Sequence, residues 1–212
     1  MITVKAFTFN PFMENTYLLY DETQSCVIID PGCNDSTEEA ELVSYIEKND
    51  LKPELLLNTH THVDHVLGNA FVAKKYNLKP QFHKVDLPYY QSVKDYASVY
   101  GINYTPGPDP EVFLDEGDKI KFGNSELDIL FVPGHAPGHL AFVCHEQEFA
   151  IQGDVLFAGS IGRTDLPGGD FDTLIRSIKE KMFSLGDNYT LYTGHGPQTT
   201  VGQEKRSNPF LN

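Results

Sequence analysis

Short apolar runs separated by turn-forming residues open the chain. Residues 3–9, 16–20 and 26–30 read as strands, the third closing on Asp30-Pro31-Gly32, a turn signal. The period then changes: Ser36-Thr37-Glu38-Glu39 is a capping-box pattern, and Leu42, Val43 and Ile46 behind it keep helical spacing. Residues 55–58 return to a short buried strand. A second amphipathic helix is expected over 67–76, ending near Asn77. A third is expected over 86–101, where Tyr89, Tyr90, Tyr96 and Tyr100 read as core or lid packing.

After the turn-rich Thr105-Pro106-Gly107-Pro108, strands are predicted at 119–122, 127–132, 141–145 and 149–152. A helix follows over 170–185, with Leu174, Ile175, Ile178 and Met182 on one side and Gly186 as its stop. No repeat, low-complexity tract or linker divides these two β-rich halves. Two sheets buried against each other, with helices on the outer faces, is the packing such a list favours.

Composition narrows the class. With 212 residues and 40% hydrophobic content the chain is expected to form one compact domain, residues 1–212. The balance of 16 basic against 30 acidic residues, a net charge of -14, would repel a phosphate backbone, so nucleic acid is excluded as a partner. The opening Met1-Ile2-Thr3-Val4-Lys5 lacks a basic region followed by an apolar stretch, and no window reaches membrane-span length. A cytoplasmic protein with no membrane association is expected. Cys26, Cys33 and Cys144 are an odd number without a CxxC pair, which argues against a disulfide framework.

The chemistry is concentrated at Thr59-His60-Thr61-His62-Val63-Asp64-His65, one residue after Leu55-Leu56-Leu57. Neutral imidazole and ionised carboxylate are the nitrogen and oxygen donors that Zn²⁺, Fe or Mn take. At an extended strand end alternate side chains share a face, so His60 and His62 can grip one ion. Asp64 and His65 fall past the strand, where a turn can aim them at a second point. Three further donors each follow an apolar run and a glycine: His135 after Gly134, Asp154 after Gly153 and His195 after Gly194. Glycine at a strand end permits a tight turn, which lets a rigid sheet present side chains at one rim. His139 reads either as a partner of a ligand or as an ordinary strand start, and His83 and His145 read as structural.

On these residues the chain resembles the metallo-β-lactamase superfamily, whose His-x-His-x-Asp-His pattern followed by His, Asp and His is matched by His60, His62, Asp64, His65, His135, Asp154 and His195. Asp30-Pro31-Gly32, Pro133-Gly134-His135-Ala136-Pro137-Gly138-His139 and Gly153-Asp154-Val155-Leu156-Phe157 look like the glyoxalase II branch, the hydroxyacylglutathione hydrolases. The resemblance implies an α/β (α+β) fold, an αββα sandwich of two mixed β-sheets flanked by helices. It also implies two divalent metal ions, zinc first, with iron or manganese as alternatives. His60, His62 and His135 would hold one, Asp64, His65 and His195 the other, with Asp154 bridging. Only 17 residues follow His195, so the C-terminal helical domain of glyoxalase II is absent from this sequence, and the tail resembles the short bacterial hydrolases.

The activity implied is attack of a metal-activated hydroxide on a small-molecule thioester such as S-lactoylglutathione, with Asp64 orienting the nucleophile or taking its proton. Arg163 falls where the family places a basic residue against the glutathione portion; its plainer reading is a surface pair with Asp165. Lys205 and Arg206 are weaker candidates for that role. The Gly162-Arg163-Thr164-Asp165 segment also resembles the persulfide dioxygenases, mono-iron oxidoreductases that use only the equivalents of His60, His135 and Asp154. Lactonase or other ester hydrolysis and a metal-stabilised domain without activity are further alternatives. β-Lactamase activity is disfavoured by Asp154 standing where one main zinc class carries Cys, nuclease activity by the charge, and flavodiiron chemistry by His62.

Overall fold

The computed structural model describes residues 1–211. Six strands, β1 (Thr3–Phe9), β2 (Glu14–Tyr20), β3 (Ser25–Ile29), β4 (Lys52–Leu57), β5 (Pro80–His83) and β6 (Phe113–Leu114), form the first sheet in sequence order. β1 to β3 are antiparallel, and β3 to β6 run parallel. The second sheet is built from β7 (Lys119–Phe122), β8 (Ser125–Phe131), β9 (Leu140–Cys144), β10 (Phe149–Ile151), β13 (Thr190–Tyr192) and β14 (Thr199–Thr200), in the order β14-β13-β10-β9-β8-β7. A small hairpin, β11 (Leu156–Phe157) with β12 (Ser160–Ile161), lies between β10 and β13 in the chain.

The expected sandwich is present, and strand alternation explains it. Leu19, Val27, Ile29 and Leu57 of the first sheet meet Leu127, Ile129, Phe142 and Ile151 of the second in one buried cluster. Each such fully buried side chain contributes ~1.5–3 kcal/mol relative to exposure. The intervening residues face outward onto helices. Leu18, Ile28 and Leu56 pack with Leu42 and Ile46 of α1 (Ser36–Lys48) and Val72 of α3 (Asn69–Tyr76). Across the molecule, Ala141, Val143 and Leu191 pack with Leu174 and Ile178 of α5 (Phe171–Glu180) and Val201 of α6 (Val201–Ser207).

Several expectations shift. The first helix is capped by Asp35, whose carboxylate accepts from the backbone N–H of Thr37 and Glu38; Glu38 turns back to accept from Asn34 N–H and Asn10 N–H. The helix expected over 67–76 begins at Asn69, and a separate short helix, α2 (Val63–Val66), precedes it. The 86–101 helix is α4 (Leu87–Tyr96) between 3₁₀ turns at Lys84–Asp86 and Ala97–Tyr100. The 170–185 helix is capped by Asp170 and ends at Glu180, followed by a 3₁₀ turn at Met182–Ser184. Cys33 is buried like Cys26 and Cys144, and all three thiols are free. No helix among the described residues is long and apolar enough to cross a membrane.

Direction matters more to the site than composition. β3 and β4 are parallel, so Asp30 and the histidine run emerge at one rim. β10 and β13 are parallel, and β8 shares their direction because both it and β10 are antiparallel to β9. The segments carrying His135, Asp154 and His195 therefore leave the second sheet at one common rim, the place where open α/β sheets bind ligands.

Candidate metal centre

The histidine run reaches the rim partly extended and partly helical. His60 is fully buried, and His62 is extended at the start of α2 (φ -64°, ψ 154°), its ring making no cap bond to that helix. Asp64 and His65 lie within α2 itself, so the turn expected past the strand is a helical one. Gly134 precedes His135 at φ +132°, and a Cβ there would come within 2.3 Å of the Leu174 nitrogen, so the turn against α5 requires glycine. A Cβ on Gly194 would come within 2.0 Å of Asp154 Oδ1.

Four histidines follow one rule: Nδ1 is tied outward. His135 Nδ1–H donates to the Arg163 carbonyl (2.8 Å), His195 Nδ1–H to the Phe12 carbonyl (3.1 Å) and His65 Nδ1–H to Asp30 Oδ2 (3.1 Å). Thr59 Oγ1 gives its proton to Asp30 Oδ2 (2.6 Å), so it accepts from His60 Nδ1–H at 3.0 Å. Such outer partners fix ring orientation, leaving each Nε2 directed inward. His62 differs, its Nδ1 lying 2.9 Å from His135 Nε2.

The inward atoms converge. One ligand atom each from His60, His62 and His135 lie within 4.8 Å of one another, as do those of Asp64, His65 and His195. Asp154 stands between the groups, Oδ1 being 3.6 Å from His65 Nε2 and Oδ2 3.6 Å from His135 Nε2 and 3.4 Å from His195 Nε2. His60 Nε2, His65 Nε2 and Asp154 Oδ1 are buried without any hydrogen-bond partner. Each orphaned group costs about 1–3 kcal/mol. Three in one cluster of nitrogen and oxygen donors fit divalent cations.

Protons divide the cluster. Burial, then neighbouring imidazoles, push His60 well down, and His62 falls to about 3 through burial and His135. His135 is also lowered, chiefly by burial. Burial opposes charge on His65 and His195 as well, but Asp64 and Asp154 outweigh it, raising His65 well above the usual range and His195 to about 10. Burial would raise Asp154, yet His65 and His195 hold it well below the ordinary carboxylate range.

A cleft of about 550 Å³ opens above the donors, walled by Phe12, Tyr96, Tyr100, Phe157, Ile161 and Leu166. Arg163 also lines it, and its Nε–H and Nη2–H both donate to Asp165 at 2.7 Å, the pairing of the plainer reading. Lys205 donates to Asp187 (2.8 Å), and neither Lys205 nor Arg206 lines the cleft.

A family model described as the metallo-beta-lactamase superfamily matches residues 9–195. The chain belongs to the metallo-β-lactamase superfamily. It is 41% identical to hydroxyacylglutathione hydrolase GloC of Haemophilus influenzae, over 95% of this chain and 94% of that protein. Among solved structures, TTHA1623 in a di-iron-bound form is 38% identical with a TM-score of 0.88, covering 98% of this chain and 100% of that one. The BLEG-1 B3 metallo-β-lactamase is 30% identical with a TM-score of 0.90, covering 99% and 100%.

In this superfamily member Asp30 is a site residue that escaped the sequence reading. Asp30 is buried, with φ +50°, and accepts from Thr59 N–H (2.7 Å), Thr59 Oγ1–H and His65 Nδ1–H. Its engaged oxygens orient His60 and His65; its place in Asp30-Pro31-Gly32 at a strand end was the available signal. His139 resolves as a partner: its Nε2 accepts from Asp154 N–H (3.2 Å), and its ring stacks on His60 at 4.5 Å. His83 accepts from Val85 N–H through Nδ1, and His145 joins Tyr189 and Asp128 away from the cleft.

Proposed function

We propose that this protein is a metal-dependent hydrolase of small-molecule thioesters, S-lactoylglutathione among them, working with two divalent ions. His60, His62 and His135 would hold one, Asp64, His65 and His195 the other, and Asp154 would bridge. The observation that carries this reading is the set of partnerless buried atoms, His60 Nε2, His65 Nε2 and Asp154 Oδ1, at the point where the donors meet. The likeness to a hydroxyacylglutathione hydrolase supports the substrate class, and the likeness to a di-iron-bound structure supports two metals. Zinc is the first choice, with iron or manganese as alternatives, because the donors are imidazole and carboxylate without a thiolate. Three free buried cysteines support a reducing compartment such as the cytoplasm.

Bound there, the ions would supply Lewis acidity and would bring the pKa of a water towards neutrality. The protein's own contribution is orientation. The outward hydrogen bonds of Nδ1 on His60, His65, His135 and His195 hold the donor set in place before substrate arrives. Asp64, whose Oδ2 is 3.1 Å from His195 Nε2, would orient the attacking water or take its proton. A thiolate leaves without a strong general acid. The aromatic wall of the cleft would exclude water, with Arg163 on the substrate beyond it.

The test is metal identity and stoichiometry together with S-lactoylglutathione hydrolysis on one preparation. Two equivalents with hydrolysis are expected. One iron per chain, oxygen uptake with glutathione persulfide and no thioesterase activity would replace this reading with the dioxygenase.

A further inference from the structure

Asp86 occupies the N-cap position of α4, where a carboxylate ordinarily accepts from the first turn of its own helix, yet it makes no such bond. Its side chain reaches the other way. Oδ1 accepts from Gly138 N–H (2.6 Å) and Oδ2 from Thr61 N–H (3.1 Å), while Thr61 Oγ1 lies 3.3 Å from the Asp86 carbonyl. Thr61 separates His60 from His62, and Gly138 lies in the loop between His135 and His139. One carboxylate thus spans the two loops that bring three imidazoles together.

The site is built for an acceptor. Asp86 is fully buried and has no cationic partner among the described residues, so only neutral N–H and O–H donors offset a desolvation that raises its carboxyl to about 6. Both oxygens face backbone N–H groups, which an amide could not satisfy, since one arm would set N–H against N–H. A Cβ on Gly138 would come within 2.5 Å of Oδ1, so this approach also requires glycine. Apart from the contacts among the histidine rings themselves, the loops are also tied at their far end, where Leu140 N–H donates to the Thr59 carbonyl (2.7 Å). Without Asp86 the loops could hinge about it.

We propose that Asp86 is a positioning residue that sets the spacing between the His60–His62 pair and His135, and through it the metal affinity of that triad. This rests on the two-metal reading above. The test titrates zinc against a competing chelator in a His195→Ala background, which leaves the His60–His62–His135 triad intact. Adding Asp86→Asn should weaken that site about 10–100-fold, the scale on which outer partners of ligands act. Val93→Ala, a cavity in the buried face of α4, is the control; with a matched fall in Tm it should leave affinity within about twofold. Gly138→Ala perturbs the same link from the other loop and should repeat the loss if Asp86→Asn does not fold. Wild-type affinity in the Asp86 variant, or equal loss in Val93→Ala, would overturn the assignment. A wild-type protein that takes up no metal would instead overturn the two-metal reading beneath it.

Discussion

His60, His62 and His135 meet as three imidazoles from which burial and mutual proximity drive protons, whereas Asp64, His65 and His195 meet as two imidazoles that carboxylates keep charged. The first triad is a set of neutral imidazoles, with His60 Nε2 left without a partner. Around the second, the Asp64 and Asp154 carboxylates lie 3.7 and 3.6 Å from His65 Nε2, and Asp64 lies 3.1 Å from His195 Nε2. Two ways of keeping a buried donor set stable lie side by side, sharing only Asp154. The difference teaches that donor identity alone does not set metal affinity at a given pH; the protons the donors must give up count as well.

The strongest way to break this comparison is to remove what the triads share. Asp154→Ala should cost more than about 10²-fold in kcat/KM and at least one metal equivalent, since even outer partners of ligands cost 10–100-fold. Retention of both equivalents by elemental analysis would show the bridge misplaced. Next, His135→Ala and His195→Ala should each lose one metal equivalent, and a different one. Native mass spectrometry of the single and double variants checks this, because loss of the same ion from both would merge the triads into one site.

The proton contrast has its own test. Loading the second triad should release protons from His65 and His195, whereas loading the first should release few, His62 being lowered to about 3. Calorimetry in buffers of different ionisation enthalpy separates the steps. Affinity for the second equivalent should fall as pH drops from 8 to 6, by about tenfold per unit for each proton displaced. For the metal-free protein the sign reverses with respect to folding. His195, raised to about 10, contributes stability that is full below about pH 6.5 and is lost as pH rises through its folded value. A thermal melt series that stays flat over that window would contradict the carboxylate trap.

Smaller effects sharpen the picture. Asp30→Asn removes the acceptor of His65 Nδ1–H and should weaken metal at the second triad about 10–100-fold by chelator competition. Arg163→Ala should raise KM for S-lactoylglutathione with little change in kcat. Its ion pair with Asp165 is exposed, and such pairs contribute ~0–1 kcal/mol, so Tm should hold.

How far the sequence carried this picture depends on distance along the chain. His135, Asp154 and His195 each followed an apolar run and a glycine, so local pattern was enough to nominate them. The sandwich likewise followed from strands of period two beside helices of period 3.6. What stayed illegible is long-range or too short to have a period. β6, β11, β12 and β14 are two-residue strands recognisable only through their partners. The acceptors of His135 and His195 are backbone carbonyls 28 and 183 positions away, and a carbonyl has no sequence signature. In sequence Asp86 reads only as the start of a helix, because an N-cap aspartate looks the same whether or not it caps.

The start of β2 reaches across the molecule to the last of the proposed ligands. Asn15 donates through Nδ2 to the carbonyls of Thr193 and Gly196, and Gly194 receives its backbone N–H, so residues nearly 180 positions apart grip the His195 loop. Contacts of such separation are expensive to close and form late. A chain emerging from the ribosome would expose the histidine run long before it could assemble either triad, and premature capture of metal would be confined to a loose, few-donor site. Tight retention of metal at the second triad would then certify that the two ends of the chain have met.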